Sequence, residues 1–201
     1  NYRKRYKYSG SLNFNYAINV TGVKESTSYS KTKDFRLAWT HRQDPKARPK
    51  SQFNASVNFG SSTYNKYNPV SVADHLTNTF SSSVSYSTNF KNKLFFSSAI
   101  RHSQNTSNKS VNLTLPEFAL SSNRFYPLRK PGKASDLKWY DNISLSYTGS
   151  ARNVIDIHEE TLFKPQMWDS LQNGIQHKIP LSLSFKVLKF LTMTTSVDYT
   201  E

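Results

Sequence analysis

The feature that most constrains this chain is a two-residue beat. Apolar residues recur at every second position over long stretches: Leu12, Phe14, Tyr16, Ile18 and Val20; Phe35, Leu37 and Trp39; Phe53, Ala55, Val57 and Phe59; Phe80, Ser82, Val84 and Tyr86; Leu94, Phe96, Ser98 and Ile100; Val111, Leu113 and Leu115; Ile143, Leu145 and Tyr147; the odd positions from Ile175 to Val187; and the odd positions from Leu191 to Tyr199. Successive side chains of a strand point to opposite faces, so this period means sheet. Nine such segments, with no sustained helical period, make the chain all-β.

The segments also exclude most soluble sheets. Many keep the beat for about 9–13 residues, whereas strands of soluble proteins average about 5–6, and a tilted strand needs about 9–11 to cross hydrocarbon. The intervening positions are mostly Ser, Asn and Thr, where a soluble sheet would offer Lys and Glu to water. A small, uncharged face suits a crowded but wet barrel interior, and it accounts for a mean hydropathy of −0.67. With 13 Phe, 12 Tyr and 3 Trp the chain is too aromatic for disorder. The expected architecture is an antiparallel transmembrane β-barrel arc of about nine long strands, part of a larger outer-membrane barrel. The competing soluble architecture is a β-sandwich or a solenoid, which would have shorter strands and a charged outer face.

The connections divide by length. Asp44–Lys50, Asn89–Lys93 and Val187–Phe190 are short; Thr21–Ser28, Ser61–Thr79 and Ala151–Gly174 are longer. Counting strands up and down puts the short links on one side, the expected periplasmic side, and the long ones on the other. Gln104–Lys109 and Leu120–Lys138 break this pattern. Aromatics gather near segment ends (Tyr2, Tyr6, Tyr8, Trp39, Phe59, Phe90, Trp139, Tyr140), where ring bodies and polar edges suit the headgroup level.

Charge follows the same division. Lys and Arg number 27 against 13 Asp and Glu, a net +14. On the short-link side fall Arg3, Lys4, Arg5, Lys7, Arg124, Lys133, Lys138, Lys186 and Lys189, and a candidate basic periplasmic rim of Arg42, Lys46, Arg48, Lys50, Lys91, Lys93, Arg129 and Lys130. The acidic residues Glu25, Asp74, Asp156, Glu159, Glu160 and Asp169 are expected in the opposite links. Basic turns deter edge-to-edge pairing; they also suit phosphate-bearing lipid arriving from the periplasm, by an attraction that salt screens within about 8–10 Å. The excess charge carries no nucleic-acid motif, so no nucleic-acid partner is expected.

Familiar catalytic chemistry is missing. Without cysteine there is no disulfide, thiol nucleophile or Cys-based zinc site. His41, His75, His102, His158 and His177 have no partner at metal-ligand spacing, and His158-Glu159-Glu160 is a loop charge cluster; His41, His102 and His177 ride the apolar beat. There is no nucleophile elbow, phosphate loop or dinucleotide fingerprint. The expectation is no enzyme, no cofactor, no metal and no catalytic residue.

One stretch breaks the beat. Val111, Leu113 and Leu115 are odd; Pro116 intervenes; Phe118 and Leu120 are even. Proline cannot donate to a ladder and sits at bulges or strand ends. The run from Leu115-Pro116-Glu117-Phe118 through Asn123-Arg124-Phe125-Tyr126-Pro127-Leu128 resembles a motif of the LptD family of lipopolysaccharide-assembly outer-membrane proteins, in its Bacteroidetes form. The strand and Pro-rich basic turn from Asp34 to Lys50 also resembles that family, as more loosely does the whole chain from Tyr2. The resemblance implies a barrel of which residues 1–201 are one part, as a piece of a longer polypeptide without the family's periplasmic jellyroll. It implies lipopolysaccharide transport and insertion into the outer leaflet through a laterally opening seam. The implied partners are lipopolysaccharide, membrane lipids, an LptE-like lipoprotein plug, a periplasmic LptA-like bridge and further envelope lipoproteins. Better-known relatives rely on disulfides, a control this segment lacks. Asn123 to Pro127 should lie at the periplasmic end, either shaping the wall where lipid comes in or simply turning the chain, with Pro127 and Pro131 ending the pairing. A porin or TonB-dependent transporter arc, moving solutes, is the alternative function.

Overall fold

In the computed structural model, residues 1–130, 132, 138–187 and 191–201 are described. Pro131, Lys133 and Lys189, and the expected short link at 188–190, lie outside them. The alternating segments form one antiparallel sheet: β1 (Tyr2–Lys4), β2 (Tyr8–Thr21), β3 (Ser30–Gln43), β4 (Ser51–Gly60), β5 (Thr79–Phe90), β6 (Leu94–Asn105), β7 (Ser110–Ser122), β8 (Ile143–Leu145), β9 (Thr148–His158), β10 (Leu171–Val187) and β11 (Leu191–Thr200). Neighbours in sequence are neighbours in the sheet, except that β9 pairs with β7 and β8 with β10. The sheet does not close; it is an arc. A strand of 12 residues spans about 40 Å, enough to cross a bilayer at the usual barrel tilt.

β8 and β9 are one wall strand broken at Ser146-Tyr147, since both pair with successive stretches of β10. Among the described residues, merging them and setting aside the three-residue β1 leaves nine long strands, the expected number. One boundary is corrected. Ala151–Gly174 is not a single link, because β9 runs on to His158 and the connection is only 159–170. The upper part of this strand escapes a hydropathy reading because its apolar side begins Gly149, Ala151, Asn153. Asp156 accordingly belongs to a strand and not to a loop; it accepts a hydrogen bond from the Asn112 side chain on the facing strand.

Register confirms two faces. Leu12, Phe14 and Tyr16 stand opposite Trp39, Leu37 and Phe35, and Trp39 and Leu37 pair in turn with Val57 and Phe59 on β4. The opposite face carries pairs such as Asn54–Ser85, Ser56–Ser83 and Ser81–Ser103. The apolar row of β2 is bare, with Phe14 63% exposed.

The long links cover part of the wall. The β9–β10 link, with a short helix (Gln166–Asp169), lays Leu162 and Met167 onto Val111, Leu113, Ile155 and Ile157, forming the buried core. Sequence periodicity did not anticipate this strap, nor the one-turn helices of the β4–β5 link, Tyr64–Tyr67 and Val72–Leu76. That link is tied to the polar face of β3. Asp34, 1% exposed, accepts from Asn19 Nδ2 (2.8 Å), Thr32 Oγ1 (3.4 Å) and the hydroxyl of Thr63. Arg36 Nη1 pairs with Asp74 Oδ1 at 3.3 Å. The two long links meet where Ser62 N donates to Glu159 Oε1 at 3.2 Å.

Candidate functional site

The break at Pro116 is a bulge. Ala99 pairs with Glu117 and Arg101 with Thr114, so the single residue Ile100 faces both Leu115 and Pro116; on the other side Asn153 faces the same two. β7 thus carries one residue more than either neighbour. Proline fits there because a bulged residue needs no ladder N–H, and its freed carbonyl accepts from Asn153 Nδ2 at 3.4 Å. The extra residue switches parity. Phe118 and Leu120 fall on the apolar face with Leu113 and Leu115, and Phe118 stacks on Phe96 at 6.1 Å. Glu117 falls on the polar face, where it pairs with Arg101 and stands across from Arg152. The two arginines border a groove of ≈ 390 Å³ floored by Ser56, Ser81, Ser83, Ser103 and Asn112. Arg101, Arg152 and Asn153 carry no motif of their own; only the register reveals them as Glu117's surroundings.

The lower half of the motif fastens turns together. Asn123 N donates to Lys93 O at 2.9 Å and its side-chain amide to Asn92 O at 2.7 Å, which ties it to the β5–β6 turn. Phe125 exchanges two backbone hydrogen bonds with Leu145 (2.8 and 2.9 Å). Tyr126 O accepts from Arg129 N at 3.3 Å across a turn with Pro127 at its second position, a place that proline's fixed φ favours. The Arg129 guanidinium lies 4.1 Å from the Tyr126 ring centroid and also donates to Asp141 O and Asn142 Oδ1, each at 3.3 Å. Arg124 and Lys130 are exposed.

The expected basic rim lies at the short-link end but is not one cluster. Lys46, Arg48 and Lys50 occupy the β3–β4 turn, and Arg48 and Lys50 border a groove with Ser87, Asn89, Ser97 and Ser121. Lys91 and Lys93 belong to the β5–β6 turn, where Lys91 and Asn92 take positive φ (51° and 56°). Arg129 and Lys130 follow β7. Arg42, at the end of β3, borders a different groove with Arg3, Lys4 and Lys7.

Above this rim the apolar face carries an aromatic girdle held by hydrogen bonds. Tyr2 Oη accepts from Trp39 Nε1 at 2.8 Å and lies 2.9 Å from His41 Nδ1. Its ring crosses Gly10, where a Cβ would come within 2.4 Å of the ring and 2.3 Å of Thr40 O. The arrangement repeats at Tyr147, whose hydroxyl is 2.8 Å from His177 Nδ1 and would be 2.3 Å from a Cβ on Gly149. Each tyrosine covers a bare glycine and keeps its polar atom satisfied, as interfacial rings require. These girdle histidines are held by tyrosine, and among the described residues no group of three or more His, Asp or Glu is placed to hold a metal ion.

A family model described as LptD protein matches residues 1–201. The chain belongs to the LptD family. No curated protein and no solved structure matches it. LptD proteins are outer-membrane proteins of lipopolysaccharide transport, a role of transport and assembly, and the all-β arc described above accords with a barrel wall. Among the described residues no helix is long and apolar enough to cross a membrane.

Proposed function

We propose that residues 1–201 are one part of the wall of a single, larger outer-membrane barrel that delivers lipopolysaccharide from the periplasm to the outer leaflet. What carries this reading is a wall with a bare apolar face on one side and a Ser/Asn/Thr face on the other, in a chain that matches the LptD family from end to end. The wall's closed ladders spare the bilayer unpaired backbone groups that cost several kcal/mol each. A seam elsewhere in the barrel needs only a few ladder bonds to open. Sugar-rich headgroups travel along the hydroxyl and amide face while acyl chains leave sideways into lipid, so no bond of the substrate is made or broken. The same polar face seats an LptE-like lipoprotein plug; an LptA-like bridge delivers substrate from the periplasmic side; further envelope lipoproteins complete the assembly. Pro116, Glu117 and Phe118 shape the wall, the Asn123–Pro127 run secures its periplasmic edge, and the basic rim meets phosphate-bearing lipid.

The test is depletion of the full-length protein in its own cell, with surface lipopolysaccharide and solute uptake measured together. Loss of newly made lipopolysaccharide from the outer leaflet, with solute uptake intact, is the expected result. Unchanged surface lipopolysaccharide refutes the transport role, and a selective uptake defect points to a porin or TonB-dependent transporter.

A further inference from the structure

The Pro116 bulge and the girdle leave one charged feature unused. Arg3, Ser9 and Arg42 lie on a single rung: Arg3 pairs with Ser9 across β1–β2, and Ser9 with Arg42 across β2–β3. All three therefore share the polar face, and two strand spacings set the arginines about 9.5 Å apart at the backbone. The next rung continues the surface with a hydroxyl pair, Ser11 Oγ to Thr40 Oγ1 at 2.8 Å. A groove of ≈ 390 Å³ opens here, bordered by Arg3, Lys4, Lys7 and Arg42. Its one carboxylate, Asp44, accepts from the Lys46 backbone N–H at 2.9 Å within its own turn. Among the described residues neither Arg3 nor Arg42 has a carboxylate within ion-pair distance.

We propose that the Arg3–Ser9–Arg42 rung binds phosphate groups carried by the transported lipid, as the first station on the polar face at the periplasmic mouth. This rests on the function proposed above. A phosphate has enough acceptor oxygens to take both guanidinium forks and the serine hydroxyl between them; a carboxylate is used up by one fork. Lys7 and Lys4 add unspecific attraction that salt screens.

The experiment measures binding of purified lipopolysaccharide, with and without its phosphates, to the full-length protein in nanodiscs. The site requires R3Q/R42Q to weaken binding by about tenfold or more, while K31Q/K33Q, equal in charge change and at the opposite end of β3, leaves it within about twofold. R3K/R42K keeps the charge without the fork and should fall between; it also serves if the glutamine pair fails to assemble. Dephosphorylated lipopolysaccharide should bind the wild type as weakly as the intact lipid binds R3Q/R42Q. Equal losses in both double variants, or indifference to the phosphates, overturns the site. Competition by phosphatidylglycerol vesicles as strong as by lipopolysaccharide would reassign it to resident phospholipid, and competition only by an acidic protein partner would make it a protein contact; either overturns the proposal. Depletion separates the two readings: phosphate-dependent binding with normal export keeps the site and removes the transport role, and the converse keeps the role and removes the site.

Discussion

The outward row of β2 and the outward row of β7 and β9 have the same alternation and opposite surroundings. Leu12, Phe14, Tyr16, Ile18 and Val20 are each more than half exposed, whereas Val111, Leu113 and Ile155 are buried under Leu162 and Met167. The difference lies in the links. Eight residues, 22–29, join β2 to β3, too few to turn down over the wall; twelve, 159–170, join β9 to β10 and reach back over it. An apolar row therefore marks a face that avoids water. What it meets, lipid or protein, is decided by the length and side chains of the connection above it.

Substitutions can break this comparison. The largest effect is expected at the covered row. Ile155→Ala opens a cavity beneath the strap and should destabilise by about 2–5 kcal/mol, in detergent as well as in vesicles, read as a shift in the urea midpoint. Phe14→Arg on the bare row should cost about 2–4 kcal/mol in vesicles, because a charge then faces hydrocarbon near mid-depth. In detergent that cost should shrink, and equal costs in both media would mean that the β2 row is packed against protein. A third change probes a polar member of the covered row itself. Gln104 is 1% exposed between Phe80 and Val111, and among the described residues neither side-chain amide atom has a hydrogen-bond partner. Gln104→Leu should therefore be neutral or stabilise by about 1–2 kcal/mol; a clear loss of stability would show that the amide is satisfied by bound water. The smallest effect belongs to the opposite face. Arg101 and Glu117 are 53% and 31% exposed, so Glu117→Gln should cost less than about 1 kcal/mol and fade with added salt.

Much of this architecture was legible in the residues because a half-buried wall writes its period directly into the chain. The turn at Asp44–Lys50 is legible to the residue, since prolines and charges interrupt the beat abruptly. A hydropathy reading cuts β9 short because glycine, alanine and asparagine occupy its outward positions, the first of them, Gly149, lying under Tyr147 and paired with His177. The parity change at Pro116 was visible, but its purpose was not: Glu117 acquires Arg101 and Arg152 as neighbours only once three strands are in register. Likewise Arg3 and Arg42, 39 positions apart, meet only through Ser9. The strap was hidden for a different reason. Leu162 and Met167 have no period of their own and owe their burial to a surface made by other strands.

The doubled position in β7 acts as a phase shifter. Were Pro116 held in an ordinary pleat position instead, everything after it in the strand would exchange sides: Glu117 would turn toward the oily exterior and Phe118 toward the wet one. Deleting Pro116 should therefore leave Glu117 and Phe118 on their present faces, whereas inserting one residue beside it should disturb the wall more than any change of side chain there.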